Sequence, residues 1–159
     1  MPVVQPAHWI QRSSFIGKLY LLDQSKRIPL SLTTAGLLEF AANDWLQAGG
    51  SSDSPAMLFH YHSESPDRIN VTVSLFDKRV ATLDVSRNNY LGFYTNQDKQ
   101  AIFKLQPREW SKDTLKCYFR DQQDNPIKRI AGAPGNLAEA AYLTVAAGTQ
   151  HEFLVVRTN

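Results

Sequence analysis

The sequence predicts an all-β protein of about twelve short strands. Three observations carry that expectation. Apolar residues recur mostly with a period of two, and in Ile69–Leu75 apolar and polar residues alternate strictly. Aromatic and β-branched runs are broken at short intervals by Asp, Asn, Gly and Pro turn signals. A four-strand unit also occurs three times, over roughly residues 15–62, 69–106 and 114–157. Each copy has a hairpin with an Asp at its turn (Asp23, Asp77, Asp121) and a last strand carrying a Phe (Phe59, Phe103, Phe153).

The strands follow in order. In the first copy they are Lys18–Leu22, Ile28–Leu32, Leu37–Ala41 and Met57–His62. In the second, Ile69–Leu75 turns around Asp77-Lys78 into Arg79–Val85, a hairpin by its alternation and turn chemistry. Asn88-Asn89 then opens the aromatic strand Tyr90–Thr95, and Asn96–Lys99 turns into Ala101–Leu105. Pro107 is expected to end that pairing, because it has no amide hydrogen for the ladder. The third copy gives Leu115–Phe119, Ile127–Ile130, Tyr142–Ala146 and Glu152–Arg157. Two segments break the symmetry. Asn43–Ala56 contains Gly49-Gly50-Ser51-Ser52-Asp53-Ser54-Pro55 and reads as a flexible surface loop. Gly132–Ala141 bends at Pro134-Gly135-Asn136, and Leu137–Ala141 suits one helical turn. Residues 1–14 read as a surface arm.

Composition bounds the function. With 159 residues the chain fits a single domain, residues 1–159, and 20% charged with 43% apolar residues is a globular composition. A net charge of +2, with Lys and Arg scattered, argues against a nucleic-acid partner, which needs a basic patch. The pairs Lys26-Arg27, Lys78-Arg79 and Lys128-Arg129 fall just past the three hairpin turns and read as solvation of exposed strand starts. Cys117 is the one cysteine, so an internal disulfide is excluded. The start MPVVQPAHWIQRSS lacks the basic and long apolar regions of a signal peptide, and no apolar run reaches transmembrane length. The expectation is a cytoplasmic protein, or one released without a recognisable signal peptide.

Twelve strands in three four-strand copies resemble the β-trefoil superfamily, across nearly the whole chain at the level of pattern. That resemblance implies a six-strand barrel capped by three hairpins, with function carried on loops. It fixes no single activity. A closer resemblance lies in the second copy. Leu83-Asp84-Val85, then Phe93-Tyr94-Thr95-Asn96, then Gln100-Ala101-Ile102-Phe103, is similar to the ricin-type lectin repeat. There the resemblance implies a sugar site: Asp84 and Asn96 as hydrogen-bond partners of vicinal hydroxyls, Phe93 or Tyr94 as the aromatic platform, and Gln100 as an orienting amide. A few polar groups beside an aromatic wall is the usual design of a small-ligand site. The pattern departs from the family in placing two residues between Gln100 and Phe103, and in having Phe rather than Trp. The other copies carry Ser31, and Arg129 or its neighbours, where the Asp should stand, which confines the pocket to the second copy.

Other chemistries find less support. His60 and His62, two apart on a strand, face one side and could hold Zn²⁺ only if a third ligand approached; no metal and no cofactor is expected. Cys117 on an alternating strand reads as a small core residue. No nucleophile elbow or phosphate-cradling Gly loop is present, and Asp121 with Asp124 brackets a turn at Asn125-Pro126. Trp9, Trp45 and Trp110 fall in connecting segments, and Trp45, beside Asp44 and the Gly-Gly-Ser-Ser stretch, is the tryptophan expected to contact a ligand. The expected function is therefore non-catalytic carbohydrate binding, as a lectin or the glycan-binding subunit of a toxin. Its partner would be a glycan or glycoprotein. The alternative is a protein-binding trefoil, such as a protease inhibitor or an interaction subunit of a multi-component toxin, acting through 43–56 and 132–141.

Overall fold

A computed structural model describes residues 14–32, 44–49, 53–76, 81–85, 89–94, 101–130 and 140–158. Among them the protein is all-β, with antiparallel pairing throughout and no helix. The strands are β1 (Phe15–Asp23), β2 (Lys26–Leu32), β3 (Asp44–Gly49), β4 (Met57–Ser65), β5 (Arg68–Leu75), β6 (Thr82–Val85), β7 (Leu91–Tyr94), β8 (Phe103–Trp110), β9 (Thr114–Arg120), β10 (Lys128–Arg129), β11 (Ala140–Thr144), β12 (Thr149–Gln150) and β13 (Glu152–Arg157).

Alternation sets which way each strand faces. In β1 the residues Phe15, Gly17, Leu19 and Leu21 are buried while their neighbours are half-exposed, and β9 repeats this with Leu115, Cys117 and Phe119. Six strands with such a buried face pair in a closed ring: β1 with β4, β4 with β5, β5 with β8, β8 with β9, β9 with β13, and β13 back to β1. Closure removes the open edges that a flat sheet would leave. The three repeated phenylalanines lie on β4, β8 and β13 of this ring, and Phe59, Phe103 and Phe153 are each no more than 1% exposed. Phe119 packs on two of them, 5.3 Å from Phe103 and 5.7 Å from Phe153 between ring centres, and Phe15 stacks on Phe59 at 4.8 Å.

The remaining strands form a second group. Hairpin-type pairs β2–β3, β6–β7 and β10–β11 carry it, and β3 joins them by also pairing with β7 and β11. A bridge between Tyr90 and Thr144 connects the start of β7 to β11, where the Tyr90 and Tyr142 rings lie 5.5 Å apart. At the β1–β2 turn both Gln24 and Ser25 take positive φ, 53° and 73°, the conformation that matches a two-residue loop to strand twist.

Several expectations are corrected. The segment read as a flexible loop, Asn43–Ala56, contains strand β3, whose Leu46 and Ala48 are buried beside β2. Its end is pinned to β1. Between pairing with β4 at Gly17 and with β2 from Tyr20, β1 leaves the Leu19 amide unserved by either strand, and Ser54 Oγ accepts it at 3.0 Å. Asp53 holds the same spot by accepting from Lys18 Nζ at 3.0 Å and Tyr20 Oη at 3.3 Å. Pro107 does not end its strand: β8 runs on to Trp110, because the register shifts between Pro107 and Glu109 and the missing donor falls at that irregularity. Trp110 is thus a half-buried strand end packed on the core, not a connecting residue. Ala140 and Ala141, expected at the end of a helical turn, begin β11. The predicted strand Leu37–Ala41, the turn at Asp77, and Trp9 lie outside the described residues.

Candidate functional site

The β6–β7 hairpin fixes the geometry of the second copy. Its cross-strand pairs are Thr82 with Tyr94, Leu83 with Phe93, Asp84 with Gly92, and Val85 with Leu91. Residues directly opposite share a face, so Leu83 and Phe93, both fully buried, point into the core. Thr82, Asp84, Gly92 and Tyr94 share the opposite face. On one side β5 extends the Thr82–Tyr94 row through Ser74, and on the other β3 extends the Asp84–Gly92 row through Trp45. Three of the predicted site residues, Asp84, Tyr94 and Trp45, therefore fall on two adjacent rows of one sheet.

Phe93 does not join them. It lies on the core face at 0% exposure and offers no ring to a ligand, because the strict alternation of β7 puts it and Tyr94 on opposite sides. Tyr94 is on the outer face but only 9% exposed. Asn96 and Gln100 lie outside the described residues, as does the remainder of the turn after β7.

Asp84 is half-buried, and its Oδ1 accepts from the amide of Val85 at 2.7 Å. Gly92, directly opposite, sets no side chain beside the carboxylate. Oδ2 accepts no hydrogen bond among the described residues. Two neighbours were not singled out from the sequence, Ser74 and Thr82. The signal for Thr82 was present in the alternation Thr82-Leu83-Asp84, which sends a hydroxyl and a carboxylate to the same side.

No family model, curated protein or solved structure matches this chain. Function must therefore be argued from the side chains themselves.

The remaining candidates resolve into structural roles. His60 and His62 are both exposed and each is engaged locally, His60 Nδ1 with Ser14 Oγ and His62 Nδ1 with Ser63 Oγ, at 2.8 Å in each case. Among the described residues no three His, Cys, Asp or Glu side chains gather as a metal-binding group. Cys117 is wholly buried in the ring, where burial pushes its thiol pKa up and keeps it protonated. Asp121 and Asp124 build their turn, as their spacing predicts. Asp121 Oδ1 accepts from the amides of Gln123 and Asn125 at 3.0 and 2.8 Å, and Oδ2 accepts from Asn125 Nδ2 at 3.2 Å. Asp124, at a φ of 70°, takes a two-pronged bond from Arg68 (Nε 3.0 Å, Nη2 3.2 Å). That bond raises the Arg68 pKa and holds the Asp124 carboxyl below its usual range. Arg120 ties the same turn down through the Asp124 carbonyl at 3.0 Å and reaches Gln106 on β8 with its Nε. Arg129, in one of the Lys-Arg pairs, meets the hairpin Asp23 at 3.4 Å, while Lys128 donates to the Ala146 carbonyl. No helix among the described residues is long and apolar enough to cross a membrane.

Proposed function

We propose that this chain is a β-trefoil and a non-catalytic carbohydrate-binding protein whose site is the outer face of the β6–β7 hairpin. Support for the trefoil is the closed pairing of β1, β4, β5, β8, β9 and β13, with three further hairpin-type pairs joined to one another beside it. Support for a sugar as ligand is the company Asp84 keeps. A carboxylate with acceptor capacity left sits opposite a glycine, with hydroxyl side chains on the next row and a tyrosine two residues along. Ionised carboxylates accept only, so Asp84 would take hydrogen bonds from vicinal sugar hydroxyls. The single observation that carries the reading is the half-buried strand carboxylate Asp84, incompletely engaged among the described residues, set against the buried turn carboxylate Asp121, both of whose oxygens are engaged.

A glycan array with the wild-type protein and Asp84→Asn is the test. The expected result is binding to at least one glycan class, lost in Asp84→Asn while the circular dichroism spectrum and melting temperature stay the same. A wild type that binds no glycan ends the proposal. It would favour the second reading, protein binding, for which one feature speaks. Phe76, 54% exposed, is the one large exposed apolar side chain among the described residues, and its amide bonds the Ala56 carbonyl at the end of the segment that reading names.

A further inference from the structure

The two ends of the β6–β7 hairpin differ in what solvent can reach. At one end Thr82 and Tyr94 are 7% and 9% exposed, and Gly92 beside them is buried as well. At the other end Asp84, Val85 and Tyr90 are half-buried and Asn89 is exposed. A ligand of Asp84 therefore approaches from the loop end of the hairpin, away from Tyr94. The aromatic side chain at that end is Tyr90.

Strand geometry places Tyr90 on the face of Asp84 by two routes. Asp84 pairs with Gly92, and Tyr90 stands two residues before Gly92, so it points to the same side. Independently, the Asp84–Gly92 row continues through position 45 of β3, and two residues on, Gln47 pairs with Tyr142. The Tyr142 ring lies 5.5 Å from the Tyr90 ring, tilted at 58°. Asp84 and Tyr90 are thus diagonal neighbours on adjacent strands, about 7–8 Å apart and within reach of an aromatic side chain. The backbone under Tyr90 is held in place. Tyr90 bridges to Thr144, and the Val145 amide donates to the Asn89 carbonyl at 3.1 Å. Tyr142 and this double tie to β11 pre-set the ring before any ligand arrives.

We infer that Tyr90, and neither Phe93 nor Tyr94, is the aromatic platform of the Asp84 site. This rests on the carbohydrate reading of that face and goes beyond it by naming the platform and the class of sugar. A pyranose carries its hydroxyls around its edge and C–H groups on its faces. Asp84 accepts from two edge hydroxyls while the Tyr90 ring covers a C–H face, a large rigid contact that costs little side-chain entropy. A carboxylate beside the platform repels a like charge, so the ligand class is a neutral pyranose with adjacent free hydroxyls, not a uronic acid.

The experiment titrates wild type, Tyr90→Phe, Tyr90→Leu and Asp84→Asn calorimetrically with neutral hexoses, N-acetylhexosamines and uronic acids. Tyr90→Phe keeps the ring and should bind within about threefold of wild type. Tyr90→Leu should weaken binding on the order of tenfold, as for loss of one aromatic contact. A readout in the unaltered protein covers the case in which Tyr90→Leu does not fold: nuclear Overhauser contacts between the Tyr90 ring protons and the C–H protons of the bound sugar should be present. Contacts from the bound sugar to other rings and none to Tyr90 overturn the inference. So does binding that is lost in Asp84→Asn but intact in Tyr90→Leu, which leaves the site standing with another platform. A uronic acid that binds as tightly as its neutral parent overturns the ligand class. A wild type that binds none of the sugars overturns this inference together with the carbohydrate reading.

Discussion

Asp121, at the end of β9, is 8% exposed and commits both carboxylate oxygens to its own turn, accepting from Gln123, from the Asn125 backbone and from the Asn125 side chain. Asp84, on β6 of the neighbouring copy, accepts one bond among the described residues, from the amide of the next residue, and stands opposite Gly92, which has no side chain. Both are half-buried or more, and both belong to hairpin regions of the repeated unit. The difference is in what a substitution would disturb. Removing a saturated carboxylate strands several donors in the fold, whereas removing an unsaturated one strands almost nothing. Capacity left over after the fold has been satisfied is what marks a side chain as available to a ligand.

The sharpest way to break that comparison lies on the hairpin itself. If the β6–β7 hairpin divides into a core face and a binding face, Phe93→Ala should be the costliest change in it, about 3–5 kcal/mol, because it empties a fully buried aromatic position. Urea denaturation measures this directly. A loss below about 1 kcal/mol would mean that Phe93 is not core, and the assignment of faces would fail with it.

Asp121→Ala comes next. Two backbone amides and one side-chain amide lose their acceptor in a turn that is otherwise well bonded, so about 2–4 kcal/mol should go. Asp84→Asn should cost less than about 0.5 kcal/mol by the same measurement. Equal losses at the two positions would erase the distinction between a carboxylate that builds and one that binds.

These contrasts also show what can be read from a sequence. The repeated phenylalanines were legible because alternation and spacing report burial directly, and Phe59, Phe103 and Phe153 all line the closed ring. The Asp121–Asp124 turn was legible because Asx side chains bond their own local backbone. The strand in 44–49 was not, because besides its neighbour β2 it pairs with β11 and β7, partners far away in the chain. The docking of Ser54 was hidden for a similar reason: it answers a gap in β1 pairing that exists only once β4 and β2 are both in place. Phe93 and Tyr94 were offered as alternative platforms, although alternation sets the two on opposite sides, and Phe93 is the one buried in the core.

Asp124 is the intermediate case, and it predicts the smallest effect. Like Asp121 it is engaged by the fold, but its side chain is 42% exposed and its main partner is the Arg68 guanidinium. That partner holds its pKa below the ordinary 3.8, so the folded protein binds the proton less readily than the unfolded chain. The resulting stabilisation is therefore present above about pH 4 and drains away as the pH falls through the lowered folded value. Solvent screening of so exposed a carboxylate limits it to less than about 1 kcal/mol. Urea midpoints of wild type and Asp124→Asn, followed from pH 7 down to about pH 2.5, should differ slightly at neutral pH and converge in acid. A difference that persists in acid would show that the turn is held by the shape of the Asp124 side chain and not by its charge, and Asp124 would then belong with Asp121 as a residue whose geometry the fold requires.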